Sequence, residues 1–346
     1  MTSFVRRLAG LLVVGITLVF LSASPALADP ATPTNYRSEV AVVEGPGVAD
    51  IEIVGGDAFV RLTAVPGMTL VVLGYEQEDY IRFGPDGRVS VNQRSPATYL
   101  NDDRYANVEV PAEASADAEP RWEDVSVDGT YSWHDHRTHW MSPTPPASVI
   151  ESGGVATVPI FDWVLPLAVD GDPGGIVGSL TWIPSSSAAP WFLIALLALL
   201  AVSAFGVRLR SAQEAMVLLT LALLALVAGI AAFASQPPEG RAYDVDVIGP
   251  PIVLGLGVFA ATQARSSERA GARLVLIGSA ALAAWSLLRI GVLTHPILPT
   301  VLPYSLDRLL TAVVLGGAAG LAAGIVAATT WQNRTRRVDG DGLRAG

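Results

Sequence analysis

Cysteine and lysine are both absent from this chain of 346 residues. Without cysteine the chain has no disulfides, no thiolate metal sites, no iron–sulfur clusters and no cysteine nucleophile. Without lysine it has no Schiff-base chemistry and no lysine-dependent phosphate loop. All 22 basic residues are arginines, which is typical of the codon bias of a GC-rich genome. Any exported domain of this chain therefore depends on its core alone for stability.

Charge is also scarce, since charged residues make up 16% of the chain and apolar residues 51%. Long apolar runs in the second half explain this ratio and indicate a membrane protein. Residues 29–187 contain 24 acidic and 8 basic residues, a net charge of −16 in a chain whose net charge is −10. So acidic a region disfavours nucleic acid and anionic lipid as partners and suits cations.

The first 28 residues have the three parts of a secretory signal peptide. Two arginines precede an apolar stretch, Leu8–Leu21, and Ala26-Leu27-Ala28 forms a small-residue cleavage site. We therefore expect cleavage before Asp29. The following residues, 29–187, would then form an extracytoplasmic domain.

Five later segments are long and apolar enough to cross a bilayer. They are Trp191–Val207, Ala215–Ala234, Val247–Ala264, Leu274–Leu293 and Leu309–Thr330. Arginines cluster after the first, third and fifth segments, and positive-inside bias places these ends in the cytoplasm. The sequence thus predicts a multi-pass cell-membrane protein with a five-helix transmembrane domain over residues 188–333 and a cytoplasmic tail over residues 334–346.

The predicted spans contain few polar groups. Arg289, near the outer end of the fourth span, needs a partner in the membrane, and Asp307 at the start of the fifth is the expected one. Gly316, Gly320 and Gly324 recur every four residues, a spacing that lets a neighbouring helix approach closely. These features favour a compact bundle or a helix-paired dimer over a transporter.

Between Tyr36 and Ile183, short apolar strands alternate with Gly, Pro, Asn and Asp. This spacing predicts a β-sandwich of immunoglobulin-like type. One of the predicted strands is Asn107–Val110, and the acidic segment Pro111–Pro120 reads as a linker or long loop. The region is therefore either one domain or two small β units. The predicted fold class is mixed: an extracytoplasmic β-sandwich followed by an all-α five-helix transmembrane bundle.

Three of the four histidines, His134, His136 and His139, fall within six residues. Residues two apart on a strand share a face, so His134 and His136 would form a chelating pair. A bend at Arg137-Thr138 would bring His139 to the same face. Imidazole suits copper, zinc and nickel, and a neighbouring thioether favours Cu(I). The segment therefore predicts a transition-metal site, with copper as the leading cofactor and zinc as the alternative.

Three further residues support this site. Met141 supplies a thioether, Asp135 is a ligand or an acceptor for an imidazole N–H, and His295 on an outer loop completes the site or receives the metal. Two other interpretations of the histidine segment stay open. It could be a loop that Trp133 and Trp140 anchor at the membrane surface, or a pH-responsive patch.

Sequence signatures of catalysis are missing. There is no Gly-x-Ser-x-Gly elbow, no His-Glu-x-x-His motif, no phosphate loop and no dinucleotide fingerprint. We therefore expect no enzyme, but a membrane-anchored protein that binds or delivers a transition metal. The alternative is a non-catalytic envelope protein whose β-domain binds a protein partner.

Two blocks, Gly74–Asn101 and Tyr131–Pro146, resemble recurrent segments of an uncharacterised family of actinobacterial membrane proteins. Members of that family have the same order of signal peptide, extracytoplasmic β-domain and C-terminal transmembrane helices. The resemblance implies a bacterial envelope protein. It carries over no catalytic residue.

Overall fold

The computed structural model describes residues 30–241 and 245–342, so the predicted signal peptide lies outside the described residues. In the described chain, ten strands precede the long helices. They are β1 (Tyr36–Glu44), β2 (Val48–Val54), β3 (Phe59–Ala64), β4 (Leu70–Leu73), β5 (Asp79–Phe83), β6 (Val89–Asn92), β7 (Trp122–Ser126), β8 (Thr130–Trp133), β9 (Val158–Val169) and β10 (Asp172–Trp182).

The strands form two antiparallel sheets. Seven strands pair in the order β1-β10-β9-β4-β5-β6-β7, and three pair in the order β2-β3-β8. Side chains of both sheets, such as Leu62, Phe83 and Leu165, share one hydrophobic core. The predicted β-sandwich is confirmed. Its division into seven and three strands is more uneven than the four and three of an immunoglobulin constant domain.

The alternation of apolar residues explains the longest hairpin. In β9, the side chains of Trp163, Leu165, Leu167 and Val169 are buried, while the residues between them are more exposed. Such a period of two places one face on the core. The hairpin to β10 turns at Asp170-Gly171, where both residues have positive φ, the conformation that a type I′ turn requires.

The predicted strand at Asn107–Val110 is wrong, because this segment is irregular. Backbone N–H groups of Tyr105 and Asn107 both donate to the Asp103 carboxylate, each at 2.9 Å. Ala106 between them has a positive φ of 56°. The aspartate side chain thus satisfies locally the groups that a strand would pair with a neighbour.

The long apolar helices of the second half of the chain confirm a membrane protein of several spans. The helices are α1 (Pro96–Leu100), α2 (Ala147–Glu151), α3 (Ala189–Gly206), α4 (Ser211–Ser235), α5 (Val245–Ala264), α6 (Glu268–Leu288), α7 (Ile290–Thr294) and α8 (Tyr304–Gly342). Of the described helices, α3, α4, α5, α6 and α8 are long and apolar enough to cross a bilayer. The predicted fourth span runs to Leu293, but its helix ends before Arg289 and resumes as the short α7.

The glycine face of α8 packs against α3 of the same chain. A Cβ added at Gly320 would overlap the carbonyl oxygen of Leu199, and Gly324 meets the backbone of Gly206. The hydroxyl of Ser203 donates to the Gly320 carbonyl at 3.1 Å. The predicted close helix approach is confirmed, and within the chain it joins the first span to the last.

The β-domain rests directly on the helix ends that face it. Thr34 and Ile297 form an antiparallel bridge, with N–H···O distances of 3.0 and 3.2 Å. In the turn Pro238–Gly240, Gly240 lies so close to the ring of Phe59 that a Cβ would overlap it. Phe59 begins β3, so this contact brings the helices to the part of the sandwich that carries the histidines.

Candidate metal centre

The histidine segment is a turn that Asp135 organises. Strand β8 ends at Trp133, and the N–H and hydroxyl of Thr138 both donate to the Asp135 carbonyl at 2.9 Å. Because the strand ends before His134, the alternation predicted for His134 and His136 does not apply. The turn, rather than a strand face, decides which imidazoles meet.

The Asp135 carboxylate is fully buried and serves the turn itself. It accepts from the indole N–H of Trp133 at 3.0 Å and from the guanidinium of Arg137 at 2.8 Å through two nitrogens. Burial alone would raise the pKa of this carboxyl, but the charge and hydrogen bonds of Arg137 lower it. Asp135 therefore remains ionised and holds the backbone that carries the histidines.

The three imidazoles form a cluster with His139 in the middle. Its ring centre lies 5.3 Å from that of His136 and 6.4 Å from that of His134. Two imidazoles bound to one tetrahedral ion have ring centres about 5 Å apart, because each metal–nitrogen bond is about 2.0–2.1 Å. His136 and His139 therefore have the spacing of two ligands of one ion, and His134 is the next nearest.

Hydrogen bonds fix the tautomers of two rings. Nδ1 of His139 donates to the Trp140 carbonyl at 3.2 Å, and Nε2 of His136 donates to the Asp103 carbonyl at 2.9 Å. A carbonyl oxygen only accepts, so the other nitrogen of each ring carries a lone pair in the neutral form. Nε2 of His139 is buried and has no hydrogen-bond partner among the described residues. This nitrogen is the natural first ligand of a cation.

The environment keeps these imidazoles neutral. Burial, together with the charge of nearby Arg104, lowers the pKa of His139 to about 3. Burial also lowers the pKa of His136. Neutral imidazole is the form that binds a metal, so no proton has to leave these two rings near neutral pH.

Aromatic rings hold the flanking imidazoles in place. Phe59 stacks on His134 with ring centres 4.3 Å apart, and Tyr75 stacks on His136 at 6.1 Å. The Tyr75 hydroxyl also accepts from the backbone N–H of His136 at 3.2 Å. Arg104, whose charge contributes to the low pKa of His139, pairs with the buried carboxylate of Asp57.

The other predicted site residues lie apart from these ring contacts. Met141 is exposed. Nδ1 of His295 lies 3.0 Å from the carbonyl of Gly291 and 3.1 Å from the hydroxyl of Thr294, so its contacts are within its own turn. In residues 30–241 and 245–342, no three histidine or carboxylate side chains already have their donor atoms arranged around one point.

Sequence reasoning missed the residues that the 101–106 loop contributes. Asp103 fixes the His136 tautomer through its carbonyl, and Arg104 contributes to the low pKa of His139. Both lie about thirty positions from the histidines, in a short charged run without metal-ligand spacing. Only the fold brings this loop to the cluster.

A second buried polar cluster lies between the helices. Arg289 donates to Asp307 at 3.0 Å, which confirms the predicted partner, and it also pairs with Asp246, which sequence reasoning missed. Arg289 further lies over the ring of Trp285.

Comparison of the chain with protein-family models, curated proteins and solved structures finds no match.

Proposed function

We propose that this membrane protein binds a transition metal through His136 and His139, with His134 as the third ligand. The observation that carries the proposal is the buried Nε2 of His139, which has no hydrogen-bond partner among the described residues and belongs to a ring 5.3 Å from that of His136. A buried polar atom without a partner costs about 1–3 kcal/mol. A bound cation removes that cost.

The donor set favours copper, with zinc as the alternative. Imidazole nitrogens suit both metals, and no thiolate is present because the chain has no cysteine. Met141, two positions after His139 in sequence, carries a thioether, the soft ligand type that favours Cu(I). Metal binding would require the three rings to rotate until one nitrogen of each lies about 2 Å from the same ion.

The proposed site lies on the extracytoplasmic side, close to the membrane surface. Arginines follow α3, α5 and the apolar part of α8, which ends at Trp331, whereas the β-domain is strongly acidic. Positive-inside bias then puts the β-domain outside. Phe59, which stacks on His134, also packs on the turn after α4. Such a site suits a protein that captures or delivers metal at the outer membrane surface.

Calorimetric titration of the purified full chain with Cu²⁺ and Zn²⁺ tests the proposal. We expect one equivalent of metal to bind. The His136→Ala/His139→Ala variant should lose affinity by about 100-fold or more, because removing ligands costs more than mutating residues that only contact the ligands, which lowers metal affinity by about 10–100-fold. The matched control is His295→Ala, which should bind as the wild type does. Absence of binding in the wild type, or equal loss in the control, would refute this site.

A separate observation favours the protein-interaction alternative. Val42 of β1 and Val164 of β9 flank Val177 of β10 on one row, and their exposed fractions are 51% and 52%. An exposed apolar row across three strands is the kind of surface that a protein partner covers. Under this alternative, Val42→Asp/Val164→Asp abolishes co-purification of a partner from native membranes and leaves metal titration unchanged.

A further inference from the structure

A cavity of about 510 Å³ lies at the helix ends opposite the β-domain. Gln236, directly after α4, exchanges two hydrogen bonds with the backbone of Ala31 ahead of β1, so Ser211 at the start of α4 marks the far end. The end of α3, the starts of α4 and α6 and a part of α8 form the walls of the cavity. Its volume is within the range of about 300–1,000 Å³ that small-molecule sites have.

Glu214 is the buried acidic residue of this cavity. It is 4% exposed, and its Oε2 has no hydrogen-bond partner among the described residues. Glu214 lies in the first turn of α4, where the helix dipole favours a carboxylate, but the dipole supplies no donor to this oxygen. A buried acceptor without a donor is unfavourable, and an ionisable group within a span needs a partner. A ligand that carries both an N–H group and a positive charge would satisfy both needs.

Three further charged side chains line the same cavity, namely Glu268, Arg269 and Arg273. Glu268 accepts from the N–H and the hydroxyl of Ser211 at 3.0 and 2.9 Å, and it thereby ties the start of α6 to that of α4. Both arginines are exposed, and guanidinium groups are well suited to phosphate. Two carboxylates and two guanidinium groups match a zwitterion, with its cation at the buried Glu214 and its phosphate at the exposed arginines.

The remaining lining is mostly apolar. It consists of Val207, Leu209, Leu276, Ile325 and Ala328 together with small polar side chains. Glu214, Leu276 and Ile325 belong to helices that are long and apolar enough to cross a bilayer, so the cavity lies where a membrane lipid can enter it. Acyl chains would cover these apolar walls, whereas a soluble zwitterion would leave them uncovered.

We propose that this cavity binds an aminophospholipid of the phosphatidylethanolamine type, in the leaflet opposite the β-domain. Its ammonium group donates to Oε2 of Glu214, and its phosphate contacts Arg269 and Arg273. A choline headgroup has no N–H to donate, and a glycerol headgroup has no cation, so both fit less well. The inference is independent of metal binding, because the histidine cluster lies on the other side of the membrane.

Native mass spectrometry of the purified full chain in detergent tests the role of Glu214. The probes are phosphatidylethanolamine and phosphatidylcholine with identical acyl chains, added in equal amounts. We expect the wild type to prefer the ethanolamine lipid by about tenfold or more, the effect of one hydrogen bond between charged groups. Glu214→Gln should lose most of this preference. The matched control is the exposed Glu151→Gln of the β-domain, which should keep it.

The same measurement tests the arginines separately. Arg269→Gln/Arg273→Gln should weaken the binding of both lipids by a similar factor, because both lipids carry the phosphate, and should leave their ratio unchanged. Arg265→Gln, on the same loop but outside the cavity lining, serves as the control and should bind both lipids as the wild type does.

Two further measurements use the wild type alone and do not depend on how a variant folds. Along the series ethanolamine, N-methyl, N,N-dimethyl and choline, an N–H donor is lost only at the last step, so affinity should fall most sharply there. Glycerophosphoethanolamine, the headgroup without acyl chains, should not displace the lipid at equal concentration. Equal wild-type affinity for the ethanolamine and choline lipids, a preference that survives Glu214→Gln, unchanged affinity in the double arginine variant, or displacement by the soluble headgroup would overturn the proposal.

Discussion

Asp135 illustrates how a single buried carboxylate can organise a ligand-bearing segment. Its carboxylate oxygens accept hydrogen bonds from the indole N–H of Trp133 and from the guanidinium of Arg137. Its backbone carbonyl accepts a hydrogen bond from the hydroxyl of Thr138. These bonds end the strand and turn the chain, so that His139 comes between the other two imidazoles. A sequence pattern of alternating histidines could not reveal this, because the deciding interaction is between side chain and backbone.

The ion pair with Arg137 should dominate the stability of this turn. Replacing Arg137 with alanine leaves a buried carboxylate without its counter-ion, which typically costs about 3–5 kcal/mol. We expect the free energy of unfolding of the β-domain to fall by that amount in urea titrations followed by tryptophan fluorescence. The control is Arg88→Ala, whose partner Asp124 lies on the surface, and little change is expected there. A comparable loss in both variants would contradict the assignment.

The elements of this fold were predictable where one physical signal decides them. Apolar length predicted the five spans, and the spacing of short apolar strands between turn residues predicted the β-sandwich. Prediction failed where local polar side chains compete with regular structure, as Asp103 does before Asn107. It also missed Asp246 as a partner of Arg289, because only the packed helices bring these residues together.

Packing of α3 on α8 should depend on the absence of a side chain at Gly320. Replacing it with leucine would drive atoms into the Leu199 carbonyl, and overpacking typically costs about 1–3 kcal/mol. We expect a lower melting temperature of the detergent-solubilised chain. Ala323→Leu on the exposed side of the same helix should leave it nearly unchanged. If both substitutions act alike, the glycine contact is not what holds the two helices together.

Orientation is a property of the whole molecule, and the cysteine-free chain allows it to be measured residue by residue. We expect a cysteine at exposed Val155 in the β-domain to react with a membrane-impermeant maleimide in intact cells. A cysteine at Ser266, among the arginines between α5 and α6, should react only after permeabilisation. The reverse pattern would place the β-domain and its histidines in the cytoplasm and remove the proposed role at the outer surface.

In both halves of the molecule, the first element packs against the last. In the β-domain, the first strand pairs with the tenth, and among the spans, α3 packs against α8. Contacts so distant in sequence form late, after the loop-closure entropy has been overcome. During synthesis, β1 cannot pair until β10 has been made, and α3 cannot pack in the bilayer until the last span has been made. The newly made chain therefore leaves β1 unpaired until Trp182 of its 346 residues has been made, and the face of α3 uncovered until α8 has been made near the end of synthesis. The second, longer interval is when the chain most needs protection.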